Sequence, residues 1–173
     1  MFTFGSGFCG TPSRFGNRNP RVLNFEPCTD RGLYDRCIIR GPLGSIQPGN
    51  AYEFVQAPGY VAIRREMIHE ARVVSLNNRP HVAARIRSYM GDSRGHWEGN
   101  TLVVVTKNLN GLGILGGNVP TRASERLIVT ERFTMLEANT LQFSATVDDS
   151  GTWTRPWTIS RASERSPSPT PKP

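Results

Sequence analysis

Between residues 51 and 160 the sequence repeats one cadence: a short run rich in Val, Ile, Thr and aromatic residues, then a turn. "AYEFVQA" ends at Pro58-Gly59. "YVAIRREMI" and "EARVVSL" follow, closed by "NNRP", and then come "NTLVVVTKN", "RLIVTERFTML", "NTLQFSATV" and "TWTRPWTIS". Asn77-Asn78, Gly99-Asn100, Glu137-Ala138-Asn139 and Asp148 to Gly151 stand between runs, where the backbone must reverse. Branched and aromatic side chains suit a pleated, half-buried surface. The cadence therefore predicts an all-β domain. Its short connections favour an antiparallel meander, closed as a small lipocalin-like β-barrel, with a β-sandwich as the alternative. Only "PHVAARIRSYMG", 80–91, admits a short helix, with Val82, Ile86 and Tyr89 at helical spacing. Glycine-rich "NGLGILGGNVP", 110–120, reads as a loop.

The flanks lack this cadence. Residues 1–31 read as an irregular arm with Phe2, Phe4, Phe8 and Phe15 as anchors, and residues 163–173, "SERSPSPTPKP", as a disordered Pro/Ser-rich tail. The barrel domain is then 32–162. The N-terminus shows neither a basic n-region nor a continuous apolar h-region, so the reading is of a cytoplasmic chain or one lacking its original start. No apolar run approaches the roughly 18 residues of a membrane span, so no transmembrane segment is expected.

A net charge of +7 favours anionic partners. The basic residues are mostly arginines scattered singly, with Arg64-Arg65 the one adjacent pair. Without a basic block or an RNP-like aromatic run, nucleic acid is not expected as the main partner. Cys9, Cys28 and Cys37 form no CxxC and have no histidine close in sequence, so no metal site is expected. Cys28 and Cys37 can close a loop in an oxidising compartment, or all three remain thiols. No phosphate loop, dinucleotide fingerprint or EF-hand is present, and no cofactor is expected.

Strand alternation assigns faces. Leu127, Val129, Glu131 and Phe133 share one; so do Leu141, Phe143, Ala145 and Val147; so do Val61, Ile63, Arg65, Met67 and His69; so do Trp153, Arg155 and Trp157, with Arg155 between two indoles. Pro156 places the last strand at an edge or a bulge. Polar residues in apolar rows (Glu131, Arg65, His69, Arg155) are costly unless paired. Two explanations stand: a ligand cavity in which they fix an otherwise apolar ligand, or an internal salt bridge between Glu131 and an arginine. The leading expectation is a small-molecule-binding barrel taking a small apolar or anionic molecule. Its candidate contacts are Arg65, Arg72, Arg94, Trp97, Phe133, Phe143, Trp153, Arg155 and Trp157. The alternatives are a structural or interaction module, and a hydrolase or lyase. The enzyme would work through His69 with Glu66, Asp92 or Glu131, since an imidazole suits general acid/base chemistry.

"GDSRGHWEG", 91–99, crowds acid, hydroxyl and imidazole together. A strand rather than a helix follows Ser93, which argues against a nucleophile elbow. The segment reads as a loop in which Asp92 pairs Arg94 and Trp97 plugs the core, ending in the Gly99-Asn100 turn.

Taken together, "GLYDRCIIRG", "QAPGYVAI", "EMIHEARVV", "RPH", "GDSRGHWEGNTLVVVT", "ERFT" and "VDDSGTWTRPWT" resemble a family of small bacterial proteins, often exported, of uncharacterised function. The resemblance covers about residues 31–160. It implies a β-rich fold and a periplasmic or extracellular setting, and it marks Glu66, His69, Arg72, Asp92, Arg94, Trp97 and Glu131 as matching positions. Asn100, Val105, Ala123 and Ser150 depart from it, standing where relatives usually carry Asp, an acid, His and Pro. A family activity carried by that acid or that histidine would be impaired here.

Overall fold

A computed structural model describes residues 41–43, 51–65, 70–112 and 123–164. They contain eight strands: β1 (Tyr52–Ala57), β2 (Tyr60–Arg65), β3 (Ala71–Ser75), β4 (Asp92–Glu98), β5 (Thr101–Lys107), β6 (Ile128–Glu137), β7 (Thr140–Asp148) and β8 (Trp157–Glu164). All lie in one sheet, in chain order. The domain is all-β, with no helix among the described residues.

The expected antiparallel meander needs correction at one seam. Strands β3 and β4 meet in parallel, through a single bridge from Ser75 to Arg94. The connection that joins them, 76–91, returns along the sheet, as parallel neighbours require. It is not a helix. Val82 and Ile86 are 38% and 56% exposed, so an amphipathic helix would have no face to bury. Its polar backbone is satisfied by other partners: Asn108 Nδ2 donates to the Val82 carbonyl at 2.8 Å, and Ile86 N–H closes a turn on Ala83 at 2.8 Å.

The second correction is β4 itself, where a loop was expected. Turn-prone Gly, Asp and Ser conceal a clean alternation. Ser93 and Gly95 are buried, whereas Asp92, Arg94, His96 and Glu98 line the other face. Two of the three glycines of 91–99 have steric reasons. Gly91 has φ +65°, and a Cβ there would collide with the Lys107 carbonyl. A Cβ on Gly95 would lie 2.8 Å from Val74 Cγ1, so β4 approaches β3 closely only because the side chain is missing.

The sheet curls into a half-barrel. Phe54 on β1 meets Phe133 on β6 edge to face at 5.1 Å, although four strands separate them in the ladder. Strands β1 and β8 are not paired with each other, so the sheet keeps two edges. The inward rows are those that alternation assigns. Val61, Ile63, Val74, Leu102, Val104 and Phe133 form one packed cluster, joined by Phe143 at 5.1 Å from Phe133. Leu43, Leu109, Ala123, Leu127, Val129, Ala145 and Val147 form a second. Each fully buried side chain of this size contributes about 1.5–3 kcal/mol.

At the C-terminal end three details differ from expectation. Residues 153–156 precede β8 rather than forming part of it. The Trp153 and Trp157 rings touch each other at 5.6 Å, edge to face, and Arg155 is exposed instead of lying between them. Strand β8 runs to Glu164, past the expected start of the tail at residue 163. Pro156 stands immediately before this edge strand, where its missing N–H costs no ladder bond.

Candidate functional site

Charged side chains gather on both faces of the sheet. On the inner face Arg72, from β3, reaches across to Glu131, from β6. Its Nη2 donates to Oε1 at 2.7 Å, and Nη1 lies 2.6 Å from Oε2, an ion contact whose N–H is not aligned on the oxygen. Nη1 also reaches Thr106 Oγ1 at 3.4 Å, and Thr106 pairs with Ser93 at 2.9 Å. Glu131 is only 2% exposed. Nearby, buried Arg65 contacts Glu70 at 3.2 Å and donates to the carbonyls of Gly41 and Pro42. Burial pushes the Glu70 carboxyl above its ordinary range, against the pull of Arg65 and Arg72. The internal salt bridge considered for Glu131 is therefore present, with Arg72 as its partner.

On the outer face Asp92 is the hub. Its Oδ2 accepts from Arg94 Nε at 3.0 Å and from the Val82 backbone at 3.1 Å, and it lies 3.0 Å from His81 Nδ1. Burial alone would raise the Asp92 carboxyl. The hydrogen bonds from Arg94, Val82 and His81 and the Arg94 charge outweigh it, and Asp92 is held below its ordinary range. It is a firm carboxylate near neutral pH. A neutral imidazole that donates from Nδ1 to this carboxylate carries its acceptor on Nε2.

His81 and Arg94 border an open cleft of about 320 Å³ that straddles the β3–β4 seam. Ser75, Asn78, Arg79 and His81 line it from the β3 side, and Arg94, Gly95, His96, Val105 and Lys107 from β4 and β5. The local reasons are plain. Arg94 and His96 alternate on the outer face of β4, and Lys107 stands opposite Asp92 in the ladder. Asn78 takes φ +53°, a left-handed turn that Asn tolerates, and this turn starts the return of the chain past the seam. Beyond the cleft, Glu98 holds His96 at 3.0 Å and also binds Arg132.

The nominated residues thus separate. Arg72 and Glu131 come together, as do Asp92 and Arg94, and as do Phe133 and Phe143. Asp92 and Glu131 lie on opposite faces of the sheet and cannot serve one site. Trp97 is not a core plug: it is 47% exposed at the end of the β4–β5 hairpin. Trp153 and Trp157 pack against the Leu127–Val129 cluster, away from Phe133. His69 and Glu66 lie outside the described residues. Arg79, His81 and Lys107 are the cleft residues that sequence reasoning passed over, and the only signal for the first two was their place in "RPH". No group of three or more metal-ligating side chains occurs among the described residues, and no helix among them is long and apolar enough to cross a membrane.

No protein-family model, curated protein or solved structure matches this chain. What the cleft does rests on its own chemistry.

Proposed function

We propose that this chain is a small-molecule-binding protein on a lipocalin-like half-barrel, that its ligand is a small anion, and that the ligand sits in the outer cleft. One observation carries the reading. Arg79, Arg94 and Lys107 border the cleft with Asp92 as the carboxylate beside them, and Asp92 is already engaged by His81 and Arg94. Cationic capacity is left over, and a carboxylate or phosphate is the group that uses it. The volume lies at the small end of ligand sites, which suits a molecule of modest size. The curl that brings Phe54 to Phe133 supports the lipocalin-like comparison, but Phe133, Phe143, Trp153 and Trp157, nominated as ligand contacts, pack in or against the two core clusters instead.

Titration of the ¹⁵N-labelled protein with succinate and with inorganic phosphate tests this. Shifts should concentrate at Ser75, His81, Arg94 and Lys107, and Lys107→Glu should abolish them. Shifts confined to inner-face residues such as Phe133 and Phe143, or none at all, would overturn the reading.

A further inference from the structure

We propose that the cleft is an active site in which His81 is a catalytic base, and that its substrate is a small ester bearing a second, anionic group. The proposal rests on the anion-binding reading and adds a reaction to it.

Three features on one side of the sheet carry it. His81 lines the cleft while its Nδ1 is fixed by Asp92 at 3.0 Å. Its Nε2 takes no hydrogen bond from any described residue, and the ring belongs to a residue that lines the cleft. Arg94 gives Asp92 only its Nε–H, and its two Nη groups have no hydrogen-bond partner among the described residues. An oriented imidazole beside unfilled guanidinium donors is the arrangement that general-base hydrolysis requires: one group to take a proton, another to receive negative charge on oxygen. Arg79 and Lys107 then hold the substrate's anionic end.

The step balances without a further reactant. A water oxygen attacks the acyl carbon while His81 Nε2 takes one of its protons. The carbonyl electron pair moves onto oxygen, which accepts hydrogen bonds donated by the guanidinium N–H groups. When the carbonyl re-forms, the bond to the alkoxy oxygen breaks, and His81 returns the proton to the departing alcohol. The products are an acid and an alcohol. Asp92 is a positioning residue: it fixes the ring and its tautomer and does not touch the substrate.

The test compares 4-nitrophenyl hemisuccinate with neutral 4-nitrophenyl acetate on the full chain. The hemisuccinate should be hydrolysed faster, and His81→Gln should lower its kcat by about 10²-fold or more with KM little changed. Lys107→Ala should raise KM instead. Asp92→Asn should lower kcat and displace the acid limb of the pH–rate profile, which a merely structural role would leave in place. Should His81→Gln fail to fold, the native protein still decides: the His81 imidazole ¹⁵N titration must follow the acid limb of kcat/KM. A mismatch, or a His81→Gln enzyme as fast as the native one, overturns the proposal. Succinate binding without hydrolysis above the rate of free imidazole removes the catalytic inference alone. No succinate binding removes the binding reading as well.

Discussion

On the inner face of the sheet, Arg72 commits its guanidinium to Glu131 and Thr106 behind a packed core. On the outer face, Arg94 commits one N–H to Asp92 and leaves the rest of its fork to an open cleft. The ingredients are the same, an arginine and a carboxylate at about hydrogen-bond distance. Burial separates their roles. A closed pair has no capacity for a ligand and acts through stability, whereas a half-open pair with unfilled donors can recognise one.

The largest expected effect comes from breaking the inner pair. Glu131→Ala leaves Arg72 charged and buried, and should cost about 3–5 kcal/mol by urea denaturation. Arg72→Met with Glu131→Leu should recover most of that, because two apolar side chains need no partners. A double variant as unstable as the single one would show that the pair does more than satisfy itself. Gly95→Val comes next. It places carbon against Val74 on the inner side of the seam, should cost about 1–3 kcal/mol, and should weaken succinate binding by parting the two banks of the cleft. Unchanged affinity would uncouple the faces.

Acid titration gives a smaller effect. Asp149 is buried, and burial alone would raise its carboxyl. Hydrogen bonds from Ser124, Thr152 and the Gly151 backbone outweigh this and hold it below its ordinary range, as Asp92 is held by its own partners. A carboxyl lowered by folding contributes stability that is present above its unfolded value, about 3.9, and is lost as pH falls through the folded one. Thermal melts should therefore decline below that pH, with a shallower slope in Asp149→Asn and in Asp92→Asn. Identical slopes in all three proteins would contradict the assignment. Smallest of all is Glu98→Gln. Its contacts with His96 and Arg132 are exposed, and no resolvable change in melting temperature is expected.

Much of the inner face was legible in the sequence, because alternation is a strong signal wherever one side of a strand is buried. It placed Glu131 among Leu127, Val129 and Phe133. The partner was less legible: Arg72 stands 59 residues away, and no local pattern links the two. The outer site was read in fragments. Asp92 and Arg94 are two apart on β4 and were paired correctly, yet the strand under them was missed because Gly95 and the flanking Gly91 and Gly99 look like a turn. His81 sits on a connection with no period, where sequence spacing carries no geometric information. Trp97 failed for another reason. Its parity is inward, but it lies past the end of the core, and alternation gives direction without depth. Arg155 failed because its segment is not a strand.

The single bridge between Ser75 and Arg94 divides the sheet into two sets of hairpins, β1–β3 and β4–β8. Within each set neighbouring strands pair along antiparallel ladders, whereas among the described residues the two sets are joined in the sheet only by that bridge and along the chain by the 76–91 connection. One bank of the cleft belongs to each set. An occupant there would act as a clasp across the least-laced line of the molecule, favouring the joined state by mass action. Amide exchange at Ser75 and Arg94 would register it first, slowing on addition of ligand while the interior of β6 and β7 kept its own pace.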